Sequence, residues 1–195
     1  MLSHFDTRLF YLVNHVHSPF WDFVMYYVSK TWIWIPVAVW LGIKLYEKIK
    51  EENLPKLLVR RKWLFWVLTV GMTVGLANTL TSEVLKPVVK RYRPCREEAH
   101  LKKKVHIVYA QCGGQYGFAS SHAANFFAMA TLLSLFLQDK KRTLILFSFA
   151  FLTAYSRVYL GVHYPGDVFV GAVIGVACAF FGYWALRKII VKKGM

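Results

Sequence analysis

With 195 residues the chain has room for one ordinary-sized domain, and 56% of them are hydrophobic. Mean hydropathy is +0.37, and the apolar residues fall in long runs, which excludes an ordinary soluble core and points to several membrane crossings. The formal charge of +15 calls for an anionic partner, and in so apolar a chain lipid headgroups and phosphates come first. No zinc knuckle, RNA-binding signature or basic heptad helix accompanies the charge, so nucleic acid is not an expected partner. The expected fold class is all-α. It is a polytopic membrane helical bundle of five to six transmembrane helices, with an N-terminal amphipathic interfacial helix, in a single domain over 1–195.

In chain order, the first eighteen residues lack a basic start and a continuous apolar centre, so no cleavable signal peptide is expected. Residues 3–17 read as an amphipathic helix, with Ser3 and Asp6 as a capping pair and Phe5, Leu9, Leu12 and Val16 as one apolar stripe. It is too polar to span easily, which places it in the membrane interface. Ser18-Pro19 marks a new helix start, with serine as cap and proline in the first turn. The whole segment 1–30 is assigned to the interface; a crossing by residues 5–30 would make six spans.

Five spans follow, at about 31–47, 63–85, 121–138, 143–159 and 166–187, the first with an expected kink at Pro36. At 1.5 Å per residue the second run covers roughly 34 Å, enough to cross a bilayer. Tryptophans 21, 32, 34, 63, 66 and 184 cluster near run ends, as an aromatic belt would. Loops 44–62, 140–142 and 187–193 carry seven, three and four Lys/Arg and share one side, expected to be cytoplasmic. Segments 86–119 and 157–166 share the other side, yet the first holds eight Lys/Arg of its own. Charges that break the topology rule have another task. Cys95 and Cys112 flank that basic loop and pair if it faces an oxidising compartment; the closed loop would be worth roughly 3 kcal/mol in the chain-entropy model. Cys178 reads as a small buried side chain.

The candidate site comes from three stretches at span ends on this second side. In KPVVKRYRP, Lys86 and Arg93 stand seven apart, two helical turns, so that both cations face one point. The plainer reading of Lys86, Lys90 and Arg91 is interfacial charges snorkelling to headgroups. In ASSH, Ser120 and His122 stand at a helix start, where a hydroxyl and free N–H groups suit an anion. In SRVYLGVHYPGD, His163 and Asp167 stand four apart and meet on one face if a helix begins near Pro165. A carboxylate beside an imidazole fixes its tautomer and leaves the far nitrogen free to attack or to move a proton. Arg157 supplies a counter-charge for a phosphate.

These three stretches resemble the signature motifs of the type 2 phosphatidic acid phosphatase family: Lys, six residues, Arg-Pro; then Pro-Ser-Gly-His; then Ser-Arg, five residues, His, three residues, Asp. The first and third match in full. In the second, Ala119 stands for the proline and Ser121 for the glycine, while Ser120 and His122 are kept. The resemblance implies an integral membrane lipid phosphate phosphatase. His163 would be the nucleophile, Asp167 its orienting carboxylate, and His122 the general acid and then base. Lys86, Arg93, Ser120 and Arg157 would bind the substrate phosphate. It implies no cofactor and no metal, because the cations supply the positive charge.

Within the family the compact size, the basic loop at 86–119 and the RPC continuation most resemble bacterial envelope enzymes, foremost a lipid A 1-phosphatase. Undecaprenyl-diphosphate and phosphatidylglycerophosphate phosphatases are the alternatives. The implied partners are a phosphorylated membrane lipid and the bilayer, with no obligatory protein partner evident. The implied location is the bacterial inner membrane, multi-pass, with the active site facing the periplasm. Lys102, Lys103 and Lys104 are expected either to meet a second phosphate or to be a solvated charge run. The N-terminal helix is expected to form one wall of the route by which an acylated substrate comes in sideways. Two rivals from other classes are a vanadate-dependent haloperoxidase, which the apolar spans disfavour, and a non-catalytic lipid-binding or transport protein.

Overall fold

The computed structural model describes residues 2–96 and 104–192. Among the described residues are seven α-helices: α1 (Leu2–Asn14), α2 (Pro19–Val28), α3 (Ile35–Lys50), α4 (Lys56–Val89), α5 (Ser121–Leu137), α6 (Lys140–Tyr159) and α7 (Pro165–Lys192). Helices α3 to α7 coincide with the five expected spans. Two of them, α4 and α7, are long and apolar enough to cross a membrane by length and composition alone. The outer faces of α4, α6 and α7 expose Leu68, Met72, Phe151, Phe169 and Phe181, side chains that a bilayer would cover.

The bundle is organised around α5, whose Ala123, Ala124, Ala128 and Leu132 are completely buried. Small residues there let α7 approach closely: a Cβ at Gly175 would collide with the Ala124 carbonyl oxygen. Beyond the alanines the space is filled by larger groups, including Trp66 tilted against Phe136 with centroids 4.2 Å apart. Trp66 is therefore a core residue and not part of an aromatic belt; a helix 34 residues long reaches well past the interface, so position near a run end did not mean position near a headgroup.

Several local expectations change. Pro36 lies in the first turn of α3, where its missing N–H costs nothing, so it starts the helix and does not kink it. A 3₁₀ turn at Thr31–Trp34 precedes it. Residues 5–30 do not form one crossing helix, because Ser18 caps α2 by accepting from the Trp21 N–H and the chain breaks there. Of the expected stripe, Phe5 and Leu12 lie on helix α1 and Val16 just past its end, and all three are exposed. The face turned to the protein is Asp6, Phe10 and Asn14.

Asn14 is wholly buried and fully used: its Nδ2 donates to the carbonyls of His106 and Tyr159 at 2.8 Å each, and its Oδ1 accepts from the His106 N–H at 2.9 Å. Asp6 does not cap its own helix, since its carboxylate is taken by Arg91 and by the Gly166 N–H.

Candidate active site

Each motif is delivered by the end of a helix. In α4 the regular coil widens into a π-helical stretch at Leu80–Leu85, a distortion often found beside functional groups. Lys86 follows at once, with Nζ 2.6 Å from Ser121 Oγ and 3.2 Å from Ser82 Oγ. The helix then stops at Lys90, whose φ of 51° is left-handed. Lys86 and Arg93 therefore share no helical face. The chain reverses, Arg93 donates its N–H to the Gln115 carbonyl, Gly117 donates to the Arg91 carbonyl, and the turn carries the Arg93 guanidinium back over the site. Cys95 and Cys112 are joined by a disulfide that ties the two sides of this turn together.

The second motif begins α5. Ser120 is the cap: its Oγ accepts from the Ala123 N–H, its own N–H donates to the Asp167 carbonyl, and it is completely buried. That hydroxyl binds the second motif to itself, and Ser121 is the serine that lines the cavity beside Lys86. His122 stands in the same first turn.

The third motif ends α6 and begins α7. Arg157 lies in the last turn of α6, its Nη1 bonded to Ser29 Oγ at the end of α2. Helix α7 starts at Pro165, as the His163–Asp167 spacing requires. Nδ1 of His163 lies 3.5 Å from Asp167 Oδ2, and its Nε2 lies 3.1 Å from Arg93 Nη1. Both dyad residues are buried. Burial, then the positive charges of Arg93, Arg157 and Lys86, hold the His163 imidazole well below its ordinary pKa. A neutral ring with Nδ1 toward a carboxylate presents the Nε2 lone pair, the form a nucleophile needs.

Lys86, Arg93, Ser121, His122, Arg157 and His163 line one cavity of about 540 Å³. Its other wall is apolar and comes from Trp34, Ile35 and Ala38 with Val74, Phe126 and Met129. A smaller cavity of about 230 Å³, lined in part by Ser29, Lys30 and Gln111, shares Thr31, His122 and Arg157 with the first. The apolar wall thus belongs to α3, α4 and α5. Helix α1 packs behind the dyad, because its inward face is polar and finds its partners there. Of the lysine run, Lys102 and Lys103 lie outside the described residues; the Lys104 carbonyl lies 3.0 Å from His15 Nε2.

Three contributors escaped the motif reading. Arg91 bridges two carboxylates, with Nη1 2.9 Å from Asp167 Oδ1 and Nη2 2.7 Å from Asp6 Oδ2. Asp6 comes from a helix that no motif touches. Gly117 passes so close that a Cβ would stand 3.0 Å from Asp167 Oδ2 and 3.5 Å from His163 Nδ1. Only the Gly-Gly-Gln-Tyr-Gly run ahead of ASSH hinted at such a close approach.

The sequence profile of the PAP2 superfamily matches residues 63–190. The chain belongs to the PAP2 superfamily. It is accordingly a phosphatase, and its relatives agree. It is 34% identical over 194 residues to a lipid A 4'-phosphatase of Bacteroides thetaiotaomicron, covering 98% of this chain and 81% of that protein. It is 31% identical to a lipid A 4'-phosphatase of Porphyromonas gingivalis, covering 91% of this chain and 71% of that one. The crystal structure of Aquifex aeolicus LpxE superposes with a TM-score of 0.63 at 26% identity, over 90% of this chain and 93% of that one. As a PAP2 phosphatase the chain has a lipid phosphate as substrate class.

Proposed function

We propose that this PAP2 phosphatase removes a phosphate from lipid A at the outer face of the bacterial inner membrane, through a phosphohistidine on His163. The observation that carries this reading is the cavity itself, where three cations and two histidines face a wall of apolar side chains. A phosphate would meet the charged half, and acyl chains would lie along the apolar half.

His163 Nε2 attacks phosphorus while the bond to the lipid oxygen breaks, and His122 gives that oxygen a proton. His122 next takes a proton from water; the water oxygen bonds to phosphorus, the P–N bond breaks, and inorganic phosphate leaves. Arg93 lies against Nε2, so its guanidinium meets the equatorial oxygens of any phosphorus approaching that atom, with Lys86 and Arg157 on the other sides. The Asp167 carboxylate fixes the ring and stabilises its positive charge. These fixed cations do the charge stabilisation, so the reaction is proposed to need no metal.

The names of the two relatives favour the 4' position over the 1 position suggested by motif context alone. A periplasmic site is the reading favoured by five spans with the three basic loops cytoplasmic, and a Cys95–Cys112 bridge suits that oxidising compartment. The test is phosphate release by detergent-solubilised protein in EDTA, from lipid A, undecaprenyl diphosphate, phosphatidylglycerophosphate and phosphatidic acid, beside His163→Ala. Loss of one phosphate from lipid A, mapped to the 4' carbon by fragmentation mass spectrometry and absent in His163→Ala, is expected. Activity that survives His163→Ala would overturn the phosphohistidine, and lipid A left intact beside another cleaved lipid would overturn the substrate.

A further inference from the structure

The third motif does not hold its own aspartate alone. Two atoms of the Asp167 carboxylate are claimed from behind: Oδ2 accepts from the Tyr164 N–H at 3.0 Å, and Oδ1 is held by Arg91. Arg91 is itself fixed on three sides. Its guanidinium lies over the Tyr164 ring, 4.0 Å from the centroid, and its second nitrogen reaches Asp6. Asp6 is fixed in turn, because its Oδ1 accepts from the Gly166 N–H at 2.7 Å, in the first turn of α7. A carboxylate there also meets the positive end of that helix. The chain of contacts thus closes on itself: Gly166 of α7 holds Asp6, Asp6 holds Arg91, and Arg91 holds Asp167, one residue from where it began.

We infer that Asp6 and Arg91 are positioning residues for the His163–Asp167 dyad, and that α1 completes the active site by supplying Asp6. Arginine suits the post because its planar fork can serve two carboxylates at once, which a lysine ammonium on a flexible stem cannot do in the same fixed geometry. Without Asp6, one side of that fork has no carboxylate, and Arg91 is free to turn away from Asp167 Oδ1. Asp167 then loses one of the two groups that aim it, and His163 loses its fixed ring plane. The other face of α1 points Phe5 and Leu12 outward, so the same short helix joins the apolar exterior to the nucleophile. This inference rests on His163 being the nucleophile.

The experiment compares wild type, Asp6→Asn, Arg91→Lys, Leu12→Ala and His163→Ala, all purified in one detergent, on lipid A and on the short-chain dihexanoyl phosphatidic acid. Asp6→Asn keeps the shape and an oxygen for the Gly166 N–H while removing the charge that holds Arg91. For both Asp6→Asn and Arg91→Lys, kcat is expected to fall roughly 10- to 100-fold on both substrates with KM little changed, the scale of a misplaced reacting group. Leu12→Ala, on the outward face, keeps wild-type kcat. Equal kcat in Asp6→Asn and wild type would overturn the inference, as would a loss confined to KM on the long-chain lipid, which would make α1 a substrate wall. If Asp6→Asn fails to fold, as judged by its thermal unfolding, Arg91→Lys decides by the same criterion. Activity surviving in His163→Ala would instead sink the phosphohistidine reading on which the inference stands.

Discussion

Helices α1 and α5 both pack at the candidate site, but they are held in opposite ways. Helix α5 is gripped by shape: alanines and large apolar groups face its neighbours, and Gly175 admits its backbone. Helix α1 is gripped by two polar anchors, Asp6 and Asn14, with the apolar Phe10 between them, while much of its apolar surface faces outward. In a bilayer this contrast has a simple basis. Lipid solvates a leucine as well as a protein core does, so burying one there gains little, and orientation must come from close packing or from directed polar bonds. Helix α5 uses the first and α1 the second. Damage to α5 should therefore cost the fold, whereas damage to α1 should first cost alignment.

The largest effect is expected at the packed side. Gly175→Val drives a side chain into the Ala124 carbonyl, and overpacking of that kind should cost about 3 kcal/mol or more, read as a fall in the thermal unfolding midpoint in detergent. Next comes Gly117→Ala, which puts a methyl 3.0 Å from Asp167 Oδ2; kcat should drop roughly 100-fold with little change in the unfolding midpoint. A comparable loss of stability would place Gly117 among the packing residues instead.

On the polar side, Asn14→Leu leaves the His106 N–H and two carbonyls without their partner. That should cost about 2 kcal/mol, seen as protease sensitivity near residue 15 before global unfolding. Ser18→Ala removes an exposed cap bond of 3.4 Å and should cost only about 0.5 kcal/mol.

A pH profile sharpens the same contrast without mutation. Burial and three cations disfavour the charged form of His163, so its neutral form, the one the proposed attack needs, persists as pH falls below 6.5. The acid limb of kcat/KM should accordingly lie below that value. An acid limb centred at 6.5 or above would show that the cations do not act on His163 as their positions require.

Much of the site was legible because the chemistry demands fixed spacings. His163 and Asp167 at i and i+4, with Pro165 between them, define a helix start, and the structure begins α7 there. The five apolar runs became α3 to α7 for a similar reason, since a run of that length has few other places to bury itself. The errors share one cause. Lys86 and Arg93 were read on one continuing helix, but the chain turns at Lys90, and nothing in KPVVKRYRP marks a left-handed lysine. At the second motif the Ser120 hydroxyl also accepts from its own helix, and the neighbouring Ser121, which no spacing singled out, faces Lys86. Asp6 was read as a cap because only partners near it in sequence were in view.

The sequence by itself determined the helical class, the run of apolar segments and the three motif stretches. Those features are local, set by hydropathy over a few turns and by residue spacing within one. Tertiary structure alone decided that Arg91 would serve the dyad, that Gly117 would graze it, and that the N-terminal helix would turn its polar face inward to supply Asp6. Those contacts join residues up to 160 positions apart. They exist only because close packing of α5 and α7 brings the helix ends to one place, and no periodicity within a segment encodes which distant charge it will meet.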